Sequence, residues 1–141
     1  MAIIAMTNIG AVPIADTAYG YIATNNIENV TESRLLSKGG TEGAVRTYFS
    51  DIPVMIQIAR CESQFRHTLS DGSVLRGKVD PRDTGVMQIN TGYHEDTAEG
   101  LGLDIFDLED NMAYARSLYE KKGTQPWTAS APCWDRTIAM R

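Results

Sequence analysis

Residues 50–63, SDIPVMIQIARCES, constrain the fold more than any other stretch of the chain. Pro53 falls in the first turn of a helix, where its missing N–H costs nothing, with Ser50 or Asp51 ahead of it as N-cap. Wound as a helix, Ile52, Val54, Met55, Ile56, Ile58 and Ala59 cover most of the circumference. Gln57, Arg60 and Gln64 are left as a narrow polar stripe. A helix apolar on so many sides has to be enclosed by other elements. A chain of 141 residues is long enough to do this as one domain, without metals or a dense disulfide framework.

Glu62 stands one turn after Ile58 and two turns after Met55, so it shares their apolar face. Ionising a carboxyl group there is costly, and desolvation raises its pKa. An acid still protonated near neutral pH is what general acid catalysis needs. The plainer alternative is a surface glutamate at a fraying helix end, the usual fate of a charged residue in such a place.

The rest of the chain supplies the enclosing elements. TEGAVRTYF reads as a short helix capped by Thr41. RHTLSDGSVLRGKV reads as a β-hairpin turning at Asp71-Gly72. YHEDTAEGLGL reads as a short helix stopped by Gly100 or Gly102. DLEDNMAYARSLYEKKG is the best-marked helix: Asp107 caps it, acids fill the first turn, Lys121 and Lys122 the last, and Gly123 stops it. Its apolar line runs Leu108, Met112, Ala115, Tyr119. Residues 1–40 carry no clean period and read as an arm or linker ending in SKGGTEG. The expected fold is mainly α: a helical domain over 41–135 with a small β-hairpin, then a tail over 136–141.

Composition narrows the partners. The net charge is −5 and there is no basic stripe, which argues against a nucleic-acid or anionic-membrane ligand. Two cysteines are too few for a thiolate zinc site, and His67 and His94 lack finger-like spacing, so no metal or cofactor is expected. Cys61 and Cys133 are either free buried thiols or a disulfide, and the residues by themselves leave both open. A bridge closing so long a loop would add about 4 kcal/mol in the chain-entropy model. The segment MAIIAMTNIGAVPIADTAYGYIA is interrupted by Asp16 and precedes the first basic residue, Arg34. It meets the requirements of neither a signal peptide nor a membrane span.

ARCESQF, then DTGVMQIN after a hairpin, then a helix containing NMAYARSLY, and finally PWTASAPCW follow one another in this order. Together they resemble the lytic transglycosylases of the lysozyme superfamily, over about residues 44–134. Within that group the chain looks most like the small transglycosylases associated with secretion systems and cell-wall remodelling. Glu62-Ser63 match the family's catalytic pair at the end of a buried helix. Gly85, Val86, Met87, Gln88 and Ile89 match its Gly-Leu-Met-Gln-Ile type motif with Val for Leu, and Asn111 matches its helix asparagine. The placing of Cys61 and Cys133 is similar to a bridged pair in resuscitation-promoting factors, another lysozyme-like group. That likeness implies a Cys61–Cys133 disulfide and an oxidising compartment.

The resemblance implies an α+β lysozyme-like fold whose hairpin lies beside a substrate cleft. It also implies a monomer acting on peptidoglycan glycan strands, exported to the bacterial cell envelope or beyond, its leader not evident in this chain. Glu62 would cleave the β-1,4 bond between N-acetylmuramic acid and N-acetylglucosamine, first as acid and then as base, closing a 1,6-anhydro ring. Gly85 would let the backbone approach the sugar, and Gln88 would bond an N-acetyl or hydroxyl group. Met87 would pack on a sugar ring or fill the core. Asn90 would close the cleft-lining stretch, and Ser63 would bond locally at the helix end beside the substrate. Tyr93 and Trp134 are further candidates for sugar contact, whereas Trp127 suits the core.

The family's Tyr-Asn-x-Gly motif, whose tyrosine lies beside the acid, has no match. WTASAPCW stands there instead, leaving Ser130 or Tyr93 to reach the same space. Two other functions stay open. One is a glycan-binding domain that keeps the fold without the activity. The other is a true hydrolase, a muramidase, which needs a second carboxylate to activate water. Asp80 and Asp83 are the candidates, although within VDPRDTG they read first as turn formers.

Overall fold

A computed structural model of the protein describes residues 39–139. The expected N-terminal arm lies outside these residues except for Gly39 and Gly40, which start the first helix. The fold is mainly helical: α1 (Gly40–Tyr48), α2 (Pro53–Ser63), α3 (Thr91–Gly100), α4 (Leu108–Lys122), a 3₁₀ segment (Gln125–Ser130) and α5 (Ala131–Ala139). One small antiparallel ladder, β1 (Asp83–Thr84) and β2 (Ile89–Asn90), stands between α2 and α3. The last helix continues beyond residue 135, through Ala139.

The oily helix is enclosed as its composition requires. Met55, Ile58 and Ala59 of α2 have no exposed surface, and Ile52, Val54 and Ile56 are half-buried against the same core. Burying a side chain such as Ile58 contributes about 1.5–3 kcal/mol. Its neighbours in the core are Val45 of α1, Met112 and Ala115 of α4, Val86 and Met87, and the indoles of Trp127 and Trp134. Gln57 departs from the expected polar stripe, being buried, while Arg60 and Gln64 are exposed.

Helix starts differ from expectation at two places. The cap of α1 is Gly39 rather than Thr41, because a φ of 141° at Gly39 lets the first turn close two residues earlier. The cap of α2 is Ile52, with Pro53 in the first turn as expected. Neither Ser50 nor Asp51 caps it. The Asp51 carboxylate instead accepts two hydrogen bonds from Arg116 of α4, at 2.7 and 2.9 Å, pinning the α1–α2 turn to the longest helix. The α4 boundaries are as the sequence indicates. Asp107 accepts from the N–H groups of Glu109 and Asp110, and Gly123 follows Lys122 at φ 60°. Both glycines end α3: Gly100 is its last residue, and Gly102 at φ 75° closes a Schellman motif through Gly102 N–H to Glu99 O and Leu103 N–H to Ala98 O.

The expected hairpin over 66–79 forms only in part. Its Asp71-Gly72 turn is present, with Asp71 Oδ1 accepting from the Ser73 N–H and hydroxyl, but pairing is confined to one bridge between Thr68 and Val74. The true ladder pairs Asp83 with Asn90 and Thr84 with Ile89, and Thr84 also bridges to Arg76. The reason lies in the tight turn at Gly85–Gln88, where Gln88 N–H reaches Gly85 O and φ is 74° at Gly85 and 51° at Gln88. That reversal brings residues 83–84 and 89–90 face to face, whereas Gly77 N–H bonds Asp83 O and draws its strand toward β1.

Candidate active site

Helix α2 ends abruptly after Ser63 because Gln64 and Phe65 both take left-handed backbone angles, φ 56° and 59°. Glu62 is therefore held in a rigid last turn rather than a fraying one. The Cys61–Cys133 disulfide joins that turn to the first turn of α5, with the two Cα atoms 6.0 Å apart. Just ahead of α5, the Ser130 hydroxyl reaches Glu62 Oε1 at 2.6 Å. Two covalently linked segments thus fix both Glu62 and its partner.

Burial pushes the Glu62 carboxyl above its ordinary pKa, the hydrogen bond from Ser130 partly opposes the shift, and the negative charge of Asp83 adds to it. Ser130 Oγ also lies 3.1 Å from Trp127 O. This allows it to serve either protonation state. When Glu62 is ionised, Ser130 donates to it. When Glu62 is protonated, Ser130 accepts from it and turns its own proton to the Trp127 carbonyl.

Glu62 borders two adjoining hollows, of about 440 and 670 Å³. Both are also lined by Asp83, Gln88 and Ala129, so Glu62 stands at the junction of one continuous cleft. The smaller arm runs toward Tyr93, His94 and Lys122, and the larger toward Leu69, Arg76 and Val79. The exposed large apolar side chains among the described residues are Leu69, Val79, Tyr93 and Leu101. The first three line this cleft.

The floor of the cleft is set by a polar staple that the sequence only hinted at. Asn111 is fully buried, accepts from Met87 N–H through Oδ1, and donates through Nδ2 to the carbonyls of Thr84 and Ile105. His67 does similar work: Val86 N–H donates to its Nδ1, so its Nε2 carries the proton and donates to Phe106 O. Burial lowers the His67 pKa and favours this neutral form. Sequence reading passed over His67, since nothing in its spacing separates a buried strut from a surface residue.

These contacts revise several expected roles. Gly85 is required by the scaffold: a Cβ there would lie 2.7 Å from Asn111 Nδ2 and 2.8 Å from the His67 ring. Close approach of a sugar is not what its geometry reflects. Met87 takes the second of its two expected roles, core filler: it has no exposed surface, and its carbonyl accepts from the Trp127 indole, so a sugar ring cannot reach its side chain. Trp134 is likewise packed in the core at 8% exposure, donating to Trp127 O, rather than offered to sugar. Trp127 is buried as expected. Ser63 is buried and its hydroxyl donates to Ala59 O within α2, so it supports the helix end locally.

Gln88, Asn90 and Tyr93 do line the cleft. Gln88 Nε2 donates to Gly85 O, and Asn90 Nδ2 donates to Asp80 Oδ2 and Asp83 Oδ1. Asn90 thus holds the two candidate carboxylates together. They are not equivalent. Asp80 is clamped by the Arg82 guanidinium and N–H, which hold its carboxyl well below the usual range. It is a turn former. Asp83 shares both arms of the cleft with Glu62 and influences its protonation.

Among the described residues no group of three or more His, Cys, Asp or Glu side chains is placed to hold a metal ion, and no helix is long and apolar enough to cross a membrane. Compared with protein-family models, curated proteins and solved structures, the chain matches none.

Proposed function

We propose that the protein is a lytic transglycosylase with a lysozyme-like fold, cleaving the β-1,4 bond between N-acetylmuramic acid and N-acetylglucosamine in peptidoglycan. One observation carries this reading: the carboxyl group of Glu62, its pKa raised by burial and its Oε1 bonded to Ser130, lies at the junction of a two-armed cleft. A glycan strand would lie along both arms with the scissile bond over Glu62, and Tyr93, Leu69 and Val79 would offer apolar surface to sugar faces.

Glu62 gives its proton to the glycosidic oxygen as the C1–O bond breaks, and N-acetylglucosamine leaves with a free 4-hydroxyl. The acetamido oxygen of the muramic residue stabilises the positive centre at C1. Glu62, now a carboxylate, takes the proton of the 6-hydroxyl as that oxygen bonds to C1, closing the 1,6-anhydro ring. The proton returns to Glu62 and no water is consumed. General acid–base catalysis of this kind is worth about 10²–10⁴ in rate. Ser130 holds Glu62 in one orientation through both transfers. The disulfide supports export to an oxidising compartment, the bacterial envelope or exterior.

A hydrolytic variant of the same reading is favoured by one feature, the presence of Asp83 in both arms beside Glu62. There, Asp83 would activate water and the product would carry a reducing end. Mass spectrometry of peptidoglycan digested by the native protein and by Glu62→Gln tests both. Anhydro-muropeptides from the native protein alone are expected. Reducing-end products would transfer the assignment to the hydrolytic mechanism, and no release by either protein would remove the enzyme reading.

A further inference from the structure

The charge of the cleft is opposite in balance to that of the whole protein. The chain has a net charge of −5, yet Arg66, Arg76, Lys78 and Lys122 line the two arms against only Glu62 and Asp83. The ion pairs among the described residues occupy Arg46, Arg82 and Arg116, all of them elsewhere. None involves a cation of the cleft. Arg76 is held in place, donating to Thr84 Oγ1 and lying over the Phe106 ring, and Arg66 donates through Nε to Ser63 O. The ammonium groups of Lys78 and Lys122 have no hydrogen-bond or ion-pair partner among the described residues. They stand on opposite arms, so positive charge flanks the Glu62 junction on both sides.

Unpaired cations gathered in a concave site on an otherwise acidic surface attract and orient an anionic ligand, and a cleft focuses that field. A neutral sugar polymer would gain nothing from them. Resting on the glycosidase reading above, we propose that Lys78 and Lys122 bind carboxylates carried by the glycan strand on either side of the scissile bond. These two lysines are then what lets the cleft distinguish the muramic strand of that reading from a neutral N-acetylglucosamine polymer, through the lactyl carboxylate or the carboxylates of the stem peptide. The ammonium groups act as screened point charges, so they select the strand without fixing one geometry.

The test uses the Glu62→Gln protein, which reports binding without turnover. It is titrated by calorimetry with peptide-bearing strands, with strands stripped to the lactyl carboxylate, and with a neutral N-acetylglucosamine oligomer of equal length. The charged strands are expected to bind about tenfold tighter, with an advantage that shrinks as salt rises. Adding Lys78→Gln and Lys122→Gln together should erase the difference. These side chains are exposed, so the fold is not at stake. The lactyl carboxylate is free only in the stripped strands, so tighter binding of these assigns the charge to the lactyl group, tighter peptide-bearing strands assign it to the stem, and equal affinity means that a carboxylate at either place is bound. Equal binding of the neutral oligomer, a preference surviving the double substitution, or equally tight binding of heparin would overturn the proposal. Failure of the glycosidase reading would appear separately, as absence of product from the native protein on every strand.

Discussion

Ser130 Oγ lies 2.6 Å from Glu62 Oε1, joining two residues 68 positions apart in the chain. Beside it, the Cys61–Cys133 bridge fastens the segment carrying Ser130 to the helix end carrying Glu62. In the transglycosylases that the sequence resembles, a tyrosine stands beside the acid. In this chain a serine occupies that relationship, with Trp127 O as its alternative acceptor. A hydroxyl that can donate or accept suits the acid–base role proposed for Glu62.

Ser130→Ala removes the one interaction that lowers the Glu62 pKa, leaving burial and Asp83 to raise it further. Activity requiring protonated Glu62 falls as pH rises through its pKa. The descending limb of the pH–rate profile should therefore move to higher pH in the variant, while kcat drops because the carboxyl loses its fixed orientation. An unchanged limb would mean that Ser130 does not contact Glu62 in solution.

The raised pKa has a thermodynamic counterpart. A carboxyl group that holds its proton more tightly when folded contributes fully to stability below its ordinary value near 4.5, and loses that contribution as pH rises through its folded value. Glu62→Gln lacks this loss. Denaturant melts between pH 4 and 8 should show the variant gaining on the native protein as pH rises and then running parallel to it. Parallel curves throughout would mean that Glu62 is not desolvated.

The disulfide closes a loop with a sequence separation of 72. In the chain-entropy model that adds about 4 kcal/mol by restricting the unfolded chain. Cys61→Ser with Cys133→Ser should lower Tm by roughly 15–30 °C for a domain of this size. Thermal melts of the native protein with and without reductant should reproduce the shift.

The central helix, its proline and the capped α4 helix were legible because each is set by local chemistry: apolar coverage, a missing N–H, an Asp at the N-cap. The Glu62 position was legible for the same reason. The hairpin was misplaced because β pairing here depends on the Gly85–Gln88 reversal, and Gln88 at φ 51° is a conformation that no propensity assigns to glutamine. For Trp134 and Met87 the sequence left sugar contact and core both open, because an aromatic or a thioether suits a cleft and a core alike. Only their neighbours decide. Ser130 was one of two residues the sequence offered for the space beside Glu62, and tertiary placement, which also buries the His67 ring, selects it over Tyr93.

Gly85 offers a test of the cleft floor that is separate from the chemistry. Alanine there must hold φ near 74° and press its methyl against Asn111 and His67 at under 3 Å. The backbone strain alone costs of order 1–3 kcal/mol. Disturbing the Asn111 staple leaves buried groups unbonded at about 1–3 kcal/mol each. Gly85→Ala is expected to lose about 3 kcal/mol in urea unfolding, and a change below about 1 kcal/mol would mean that the floor is more adaptable than its contacts indicate.

Asp83 separates the two chemical mechanisms. Its negative charge raises the Glu62 pKa, so Asp83→Asn should lower that pKa and move the descending limb of the pH–rate profile to lower pH, opposite to Ser130→Ala. The asparagine side chain still offers an oxygen to Asn90 Nδ2, the bond that fixes this position beside β2. If the muramic 6-hydroxyl is the nucleophile, Asp83 takes no proton. The variant should then keep a substantial rate at its new optimum and yield the same anhydro products. If water is the nucleophile, Asp83 is the base, and its loss should cost about 10²–10⁴ in rate at every pH. Rate and product spectrum measured together across pH distinguish a carboxylate that tunes Glu62 from one that shares its chemistry.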